Sequence, residues 1–122
     1  MNYELTEEDK KWNKMWELWT EGEAISPYAQ IMEYSGEVNN GGHAQYFSNL
    51  GDLNLLEENI KVLLTSLPEL FTKNLEKAYK LYLKDEFARK TEKIMNKCDK
   101  MFYKNEEVIN NMLKEYASTL EL

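Results

Sequence analysis

Glu37-Val38-Asn39-Asn40-Gly41-Gly42-His43-Ala44-Gln45-Tyr46-Phe47-Ser48-Asn49 separates two helical patterns, and the rest of the chain is read outward from it. Upstream, Ser26-Pro27 has the form of a helix start, with serine as the N-cap and proline at the first helical position. Tyr28, Ile31, Met32 and Ser35 continue one face of that helix to about Val38. Asn39-Asn40-Gly41-Gly42 then breaks it, and a short helix from His43 to Asn49 follows, closed by Gly51. The glycine pair lacks the spacing of a phosphate-binding loop, so it is expected to be a tight interhelix turn with glycine at positive φ.

Toward the N-terminus, Thr6 opens a helix with Glu7, Glu8 and Asp9 in its first turn, where acids suit the cap and the helix dipole. This helix runs to about Thr20 and stops near Gly22. Trp12, Met15, Trp16 and Trp19 form one stripe on it, expected to serve as core or as an interface. Toward the C-terminus, Asn54 with Glu57 suggests a capping box for a helix that buries Leu56, Ile60, Leu63, Leu64 and Leu67. Pro68 starts a helix to about Lys84 carrying Phe71, Leu75, Ala78, Tyr79 and Tyr82. A further helix from about Glu86 to Tyr103 is expected to bury Phe87, Ile94, Cys98, Met101 and Phe102. Asn105 with Glu106 and Glu107 reads as the cap of a last helix burying Val108, Ile109, Met112, Leu113, Tyr116 and Leu120. No segment alternates at strand period, and the connections are short. The expectation is all-α: a compact bundle of about six to seven helices, one domain over residues 1–122.

Charge is distributed unevenly. The net formal charge is −7, but residues 1–58 hold twelve acids and three lysines, whereas residues 59–122 hold ten acids and twelve bases. From Met15 to Ile60 there is no Lys or Arg, and eight acids fall there: Glu17, Glu21, Glu23, Glu33, Glu37, Asp52, Glu57 and Glu58. Such a face attracts basic partners and repels nucleic acid, or it is simply solvated. The candidate partner is therefore a basic protein, such as a nuclease, with no direct nucleic-acid binding. No apolar run approaches the length of a membrane span, and one cysteine forms no internal disulfide, so the cytoplasm is the expected compartment with no membrane association.

Catalytic chemistry finds little support in the residues. His43 is the only histidine and cannot build a histidine-rich metal site. A ring facing solvent or packed near the turn is the plainer expectation. Cys98 falls on the apolar face of its helix, which suits a small buried hydrophobe better than a nucleophile. No catalytic residue, metal or cofactor is expected.

The quoted stretch also resembles the signature of a bacterial all-helical domain family of mostly unknown function that includes the DNA-mimic protein of Neisseria. That signature reads E-V-N-N-G-G-(aromatic)-x-Q-(aromatic)-(aromatic)-x-N, and it matches Asn39, Asn40, Gly41, Gly42, Gln45, Tyr46, Phe47 and Asn49 here, with His43 replacing the usual aromatic. Cys98-Asp99-Lys100-Met101-Phe102-Tyr103 resembles the family's later D-x-x-F-Y element, and Asn111 to Tyr116 its closing helix, so the likeness covers about residues 10–120. It implies a compact helical fold, a mainly structural role for the motif, a homodimer, and DNA mimicry by surface acids that occupy the DNA-binding face of a transcription factor. Two alternatives stand beside the mimic: an immunity-type inhibitor of a basic toxin such as a nuclease, and a small enzyme using His43 with Glu37 or Asn40.

Overall fold

The computed structural model describes residues 4–85 and 89–122. Five helices run through them: α1 (Glu7–Thr20), α2 (Tyr28–Leu50), α3 (Leu53–Ser66), α4 (Glu69–Asp85) and α5 (Arg89–Ser118). There is no strand among the described residues, so the all-α expectation holds, with five helices in place of six to seven.

The helix starts follow local chemistry, though not always the expected residue. Thr6 caps α1 in a complete capping box, accepting from the Asp9 N–H while the Asp9 carboxylate accepts from the Thr6 N–H. At α2 Pro27 itself occupies the cap position, and no side chain caps that end, so Ser26 is not the N-cap. At α3 the cap is Asp52, whose Oδ1 accepts from the Asn54 and Leu55 N–H groups. Asn54 lies inside that helix, and its capping-box role is replaced by a residue two positions earlier. α1 and α2 end beside Gly22 and Gly51, as expected, and both glycines turn the chain at positive φ.

The two missing helices have separate causes. The break after Val38 is narrower than expected: only Gly41 and Gly42 leave helical geometry, and the chain kinks within α2. The break at Asn105 is absent. Its amide Nδ2 donates to the Met101 carbonyl one turn back, inside α5, and no Gly or Pro occurs from Arg89 to Ser118 to stop the helix. α5 runs unbroken through that point, and two residues expected inside turn outward: Met101 is 43% and Val108 41% exposed. Phe87 lies outside the described residues.

One continuous core joins all five helices. Met15 of α1, Ile31, Met32, Tyr34 and Val38 of α2, Leu56, Ile60 and Leu63 of α3, Phe71 and Leu75 of α4, and Phe102, Ile109 and Leu113 of α5 are buried in it. α2 and α5 form its centre, with α1 laid along α5 and α3 and α4 against α2. Trp12 and Trp16 are half-buried against this core, whereas Trp19 is 36% exposed. No helix among the described residues is long and apolar enough to cross a membrane.

Candidate functional site

The motif residues gather around the α2 kink. Gly42 sits at φ 84°, a region that favours glycine, and a Cβ there would come within 2.5 Å of the Asp99 carboxylate on α5. Both the turn and the close approach of α5 require a glycine. Past the kink, the freed His43 N–H donates to Asp99 Oδ1 at 2.8 Å. Asp99 thus acts from α5 as the N-cap of the second half of α2, where a carboxylate also meets the helix dipole favourably.

The same oxygen lies 2.7 Å from His43 Nδ1, and His43 Nε2 lies 2.6 Å from the Tyr34 hydroxyl. With Nδ1–H donating to the carboxylate, Nε2 accepts a hydrogen bond from the Tyr34 hydroxyl, giving a chain from Tyr34 through His43 to Asp99. Burial first, then the neighbouring Tyr46, Cys98 and Asp99, push the Tyr34 phenol well above its ordinary range, so it stays protonated. The His43 ring is 0% exposed and packs among Tyr34, Phe47 and Phe102. Of the two roles expected for it, the structure chooses packing at the turn over facing solvent.

A second set of bonds ties the two halves of α2 to each other and to α5. Glu37 Oε2, before the kink, accepts from Gln45 Nε2 at 3.1 Å and Asn49 Nδ2 at 2.6 Å, both after it. Asn39 Nδ2 donates to Glu106 on α5 at 3.0 Å. The Tyr103 hydroxyl donates to the Val38 carbonyl at 2.9 Å, the acceptor that an unbroken helix would offer to Gly42. Tyr46 and Phe47 fill the core beside Tyr34, with ring centroids 5.1 Å apart for Tyr34–Tyr46. Asn40 is exposed. The suggested pairing of His43 with Glu37 or Asn40 does not form; Tyr34 and Asp99 take its place.

Tyr34, Asp99 and Tyr103 are site residues that the sequence reading does not single out. Asp99 and Tyr103 carried a signal, the D-x-x-F-Y element, but nothing in the sequence says that it docks on the kink. Asn74 is a further omission: its Nδ2 donates to the Cys98 carbonyl at 2.9 Å in the interior. Cys98 itself is a buried packing residue, and burial pushes its thiol up despite the counteracting charge of Lys77.

The eight candidate acids occupy three places. Glu17, Glu21 and Glu23 are exposed along the end of α1 and the turn after it. Glu33 and Glu37 stand one turn apart on α2 and are half-buried, and burial, then the charge of Glu37, raises the Glu33 carboxyl above its ordinary value. Asp52 caps α3, while Glu57 and Glu58 are exposed on it, Glu57 lying 3.9 Å from Lys61. Two surface depressions adjoin α1. One, of about 980 Å³, runs between the start of α1 and the end of α5 past Trp12, Asn110, Asn111 and Lys114. The other, of about 280 Å³, lies between Trp19, Gln30 and Glu33. Neither reaches His43.

This geometry defines a class: a small helical domain whose glycine-kinked central helix is clamped by an aspartate and a tyrosine from the last helix. The chain belongs to the DMP19-like protein family, whose profile matches residues 23–120. That span takes in the kink, Asp99 and Tyr103, and begins after α1. Comparisons with curated proteins and with solved structures give no match.

Proposed function

We propose that this chain is an acidic protein-binding module that occupies the basic face of a DNA-binding protein, its carboxylates standing in for DNA phosphates. One observation carries the proposal: no Lys or Arg interrupts Met15 to Ile60, and six of the eight acids there are exposed on or beside rigid helices. Duplex DNA offers one charge per ~1.7 Å of axis, and carboxylates on helices compete for the same lysines and arginines. Membership in the DMP19-like family is compatible with this role. Glu37 and Asp52 also hold the fold together, so the contact surface centres on Glu17, Glu21, Glu23, Glu57 and Glu58, with Glu33 at its edge.

The proposal assigns no catalytic role. His43 has no exposed surface and both ring nitrogens are engaged, while burial keeps the Cys98 thiol neutral. It includes a homodimer, for which the exposed Trp19 and the aromatic stripe of α1 supply surface. Light scattering at micromolar concentration should then give about twice the 14.5 kDa of one chain; a mass of one chain removes the dimer.

The test of function is a pull-down from host lysate at low and high salt, with the wild type and a Glu17→Lys, Glu21→Lys, Glu57→Lys, Glu58→Lys variant. A basic DNA-binding protein should be retained at low salt, and lost at high salt and by the variant, while the variant's helical circular dichroism is unchanged. Equal capture by the variant, or no salt-sensitive partner, rejects the proposal. A basic nuclease in place of a regulator would make the chain an immunity-type inhibitor.

A further inference from the structure

The lysine-rich half has no part in the acidic surface, yet the fold orders it closely. On α4, Lys73, Lys77, Lys80 and Lys84 stand at i, i+4, i+7 and i+11, one narrow stripe along the helix. On α5, Lys93, Lys97, Lys100 and Lys104 repeat that spacing. All eight are exposed. Phe71, Leu75 and Ala78 on α4, and Met95, Cys98 and Phe102 on α5, fill the core from the other sides of the two helices.

The two stripes belong to one surface. Asn74 bonds to the Cys98 carbonyl and Phe71 packs on Phe102 with centroids 6.1 Å apart, so α4 and α5 lie side by side and antiparallel. Lys77 is near enough to α5 to act on the Cys98 thiol. Each stripe covers eleven residue steps, ~16 Å at the helical rise, and packed helix axes lie ~8–10 Å apart. Of the eight stripe lysines, Lys73 is the one ion-paired among the described residues, with Glu69 at 2.9 Å. Glu69 and Glu76 border the α4 stripe, whereas the sole acid between Lys93 and Lys104 is Asp99, which is engaged with His43. Like charges stacked at i+3 and i+4 repel along a helix, and a bound polyanion relieves that repulsion.

We propose that this α4–α5 ribbon binds the phosphate backbone of nucleic acid without sequence preference. Charge density selects the occupant. A duplex presents roughly nine charges over ~16 Å, a match for eight lysines. The acidic half of a second copy offers a sparser set, with Glu17 on α1 and Glu21 at its C-cap an exposed pair one turn apart. The stripes contain lysine alone, with no arginine for bidentate base contacts and no aromatic for stacking, so they position a backbone and do not read bases. The net charge of −7 does not forbid this, because repulsion from the acids of α1 to α3 is screened beyond ~8 Å at physiological salt. The expectation of no nucleic-acid contact rests on those acids, and the proposal departs from it for this face alone. The inference is independent of the acidic-surface proposal, and either can fail alone.

The test is fluorescence anisotropy with a labelled duplex of mixed sequence, about 20 base pairs long, titrated over about 25–200 mM KCl. With about six lysines engaged, affinity should fall ~10³-fold between 50 and 200 mM. A Lys77→Glu, Lys80→Glu, Lys97→Glu, Lys100→Glu variant should lose at least ~100-fold at low salt. A Lys10→Glu, Lys14→Glu, Lys61→Glu, Lys114→Glu variant has the same net charge and should stay within ~3-fold. Circular dichroism checks both folds, and if the first variant unfolds, the same four lysines changed to Gln should lower the log–log salt slope by about three to four. Absence of binding at about 25 mM salt, or equal loss in both charge-reversed variants, overturns the proposal. So does salt-sensitive self-association in sedimentation that the ribbon variant abolishes, if the wild type ignores the duplex.

Discussion

Asp99 is the residue on which the motif turns. Its one oxygen, Oδ1, accepts from the His43 backbone and faces the His43 ring, and both donors are otherwise buried. Asp99→Ala leaves two interior donors without a partner, and chemical denaturation should register a loss of about 2–4 kcal/mol. A loss under ~0.5 kcal/mol would mean that water or another side chain substitutes for the carboxylate. Glu33 gives a prediction of opposite sign. Its carboxyl is held above the ordinary value by burial and by Glu37, so at neutral pH the folded state holds a charge that the unfolded chain accommodates more easily. The penalty is absent below the unfolded pKa and grows as pH rises through the folded one. Glu33→Gln should therefore raise Tm at pH 7, and the gain should vanish below about pH 4. A gain of equal size at both values would point to packing, not to charge.

At the scale of elements, the contrast is between the helix that kinks and the one that does not. α2 bends at Gly41-Gly42, and the groups freed there find partners on α5: His43 N–H on Asp99, Val38 C=O on Tyr103. α5 runs on through Asn105 because that side chain bonds back to Met101 and leaves the helical ladder intact. Asn105→Ala tests this directly. In a helix interior the change should stabilise by up to ~0.5 kcal/mol, whereas removal of an N-cap would cost ~1 kcal/mol. Tyr103→Phe should cost ~1 kcal/mol by stranding the Val38 carbonyl, and no measurable change in thermal unfolding would remove Tyr103 from the clamp.

For the whole molecule, the question is whether α1 is part of one cooperative unit, since the family match begins after it. Met15 places α1 in the continuous core, and Lys11 Nζ donates to the Ser118 carbonyl at 3.0 Å at the far end of α5. All three tryptophans lie on α1, so their fluorescence reports that helix alone, while circular dichroism reports all five. The two denaturation curves should coincide. A tryptophan transition that precedes the helical one would mean that α1 detaches separately. Charge is likewise a property of the whole: acids gather on α1 to α3 and exposed lysines on the outer face of α4 and α5, so surfaces of opposite sign are offered on different sides.

The sequence alone determined the helical class, the glycine turn, most of the buried faces and the acidic block, because periodicity, caps and charge are local properties. It also carried both halves of the motif, Glu37 to Asn49 and Asp99 to Tyr103, as separate stretches. What only the tertiary structure decided is that the second caps the first. Asp99 and His43 are fifty-six residues apart, and a hydrogen bond between them depends on how α2 and α5 cross, which no local pattern encodes. The same limit explains the misassigned turn at Asn105 and the cap at Asn54. A residue that favours caps does so only where the helix ends, and packing against the core sets that end. The lysine spacing was likewise present in the chain, but two stripes become one ribbon only when α4 and α5 pack antiparallel.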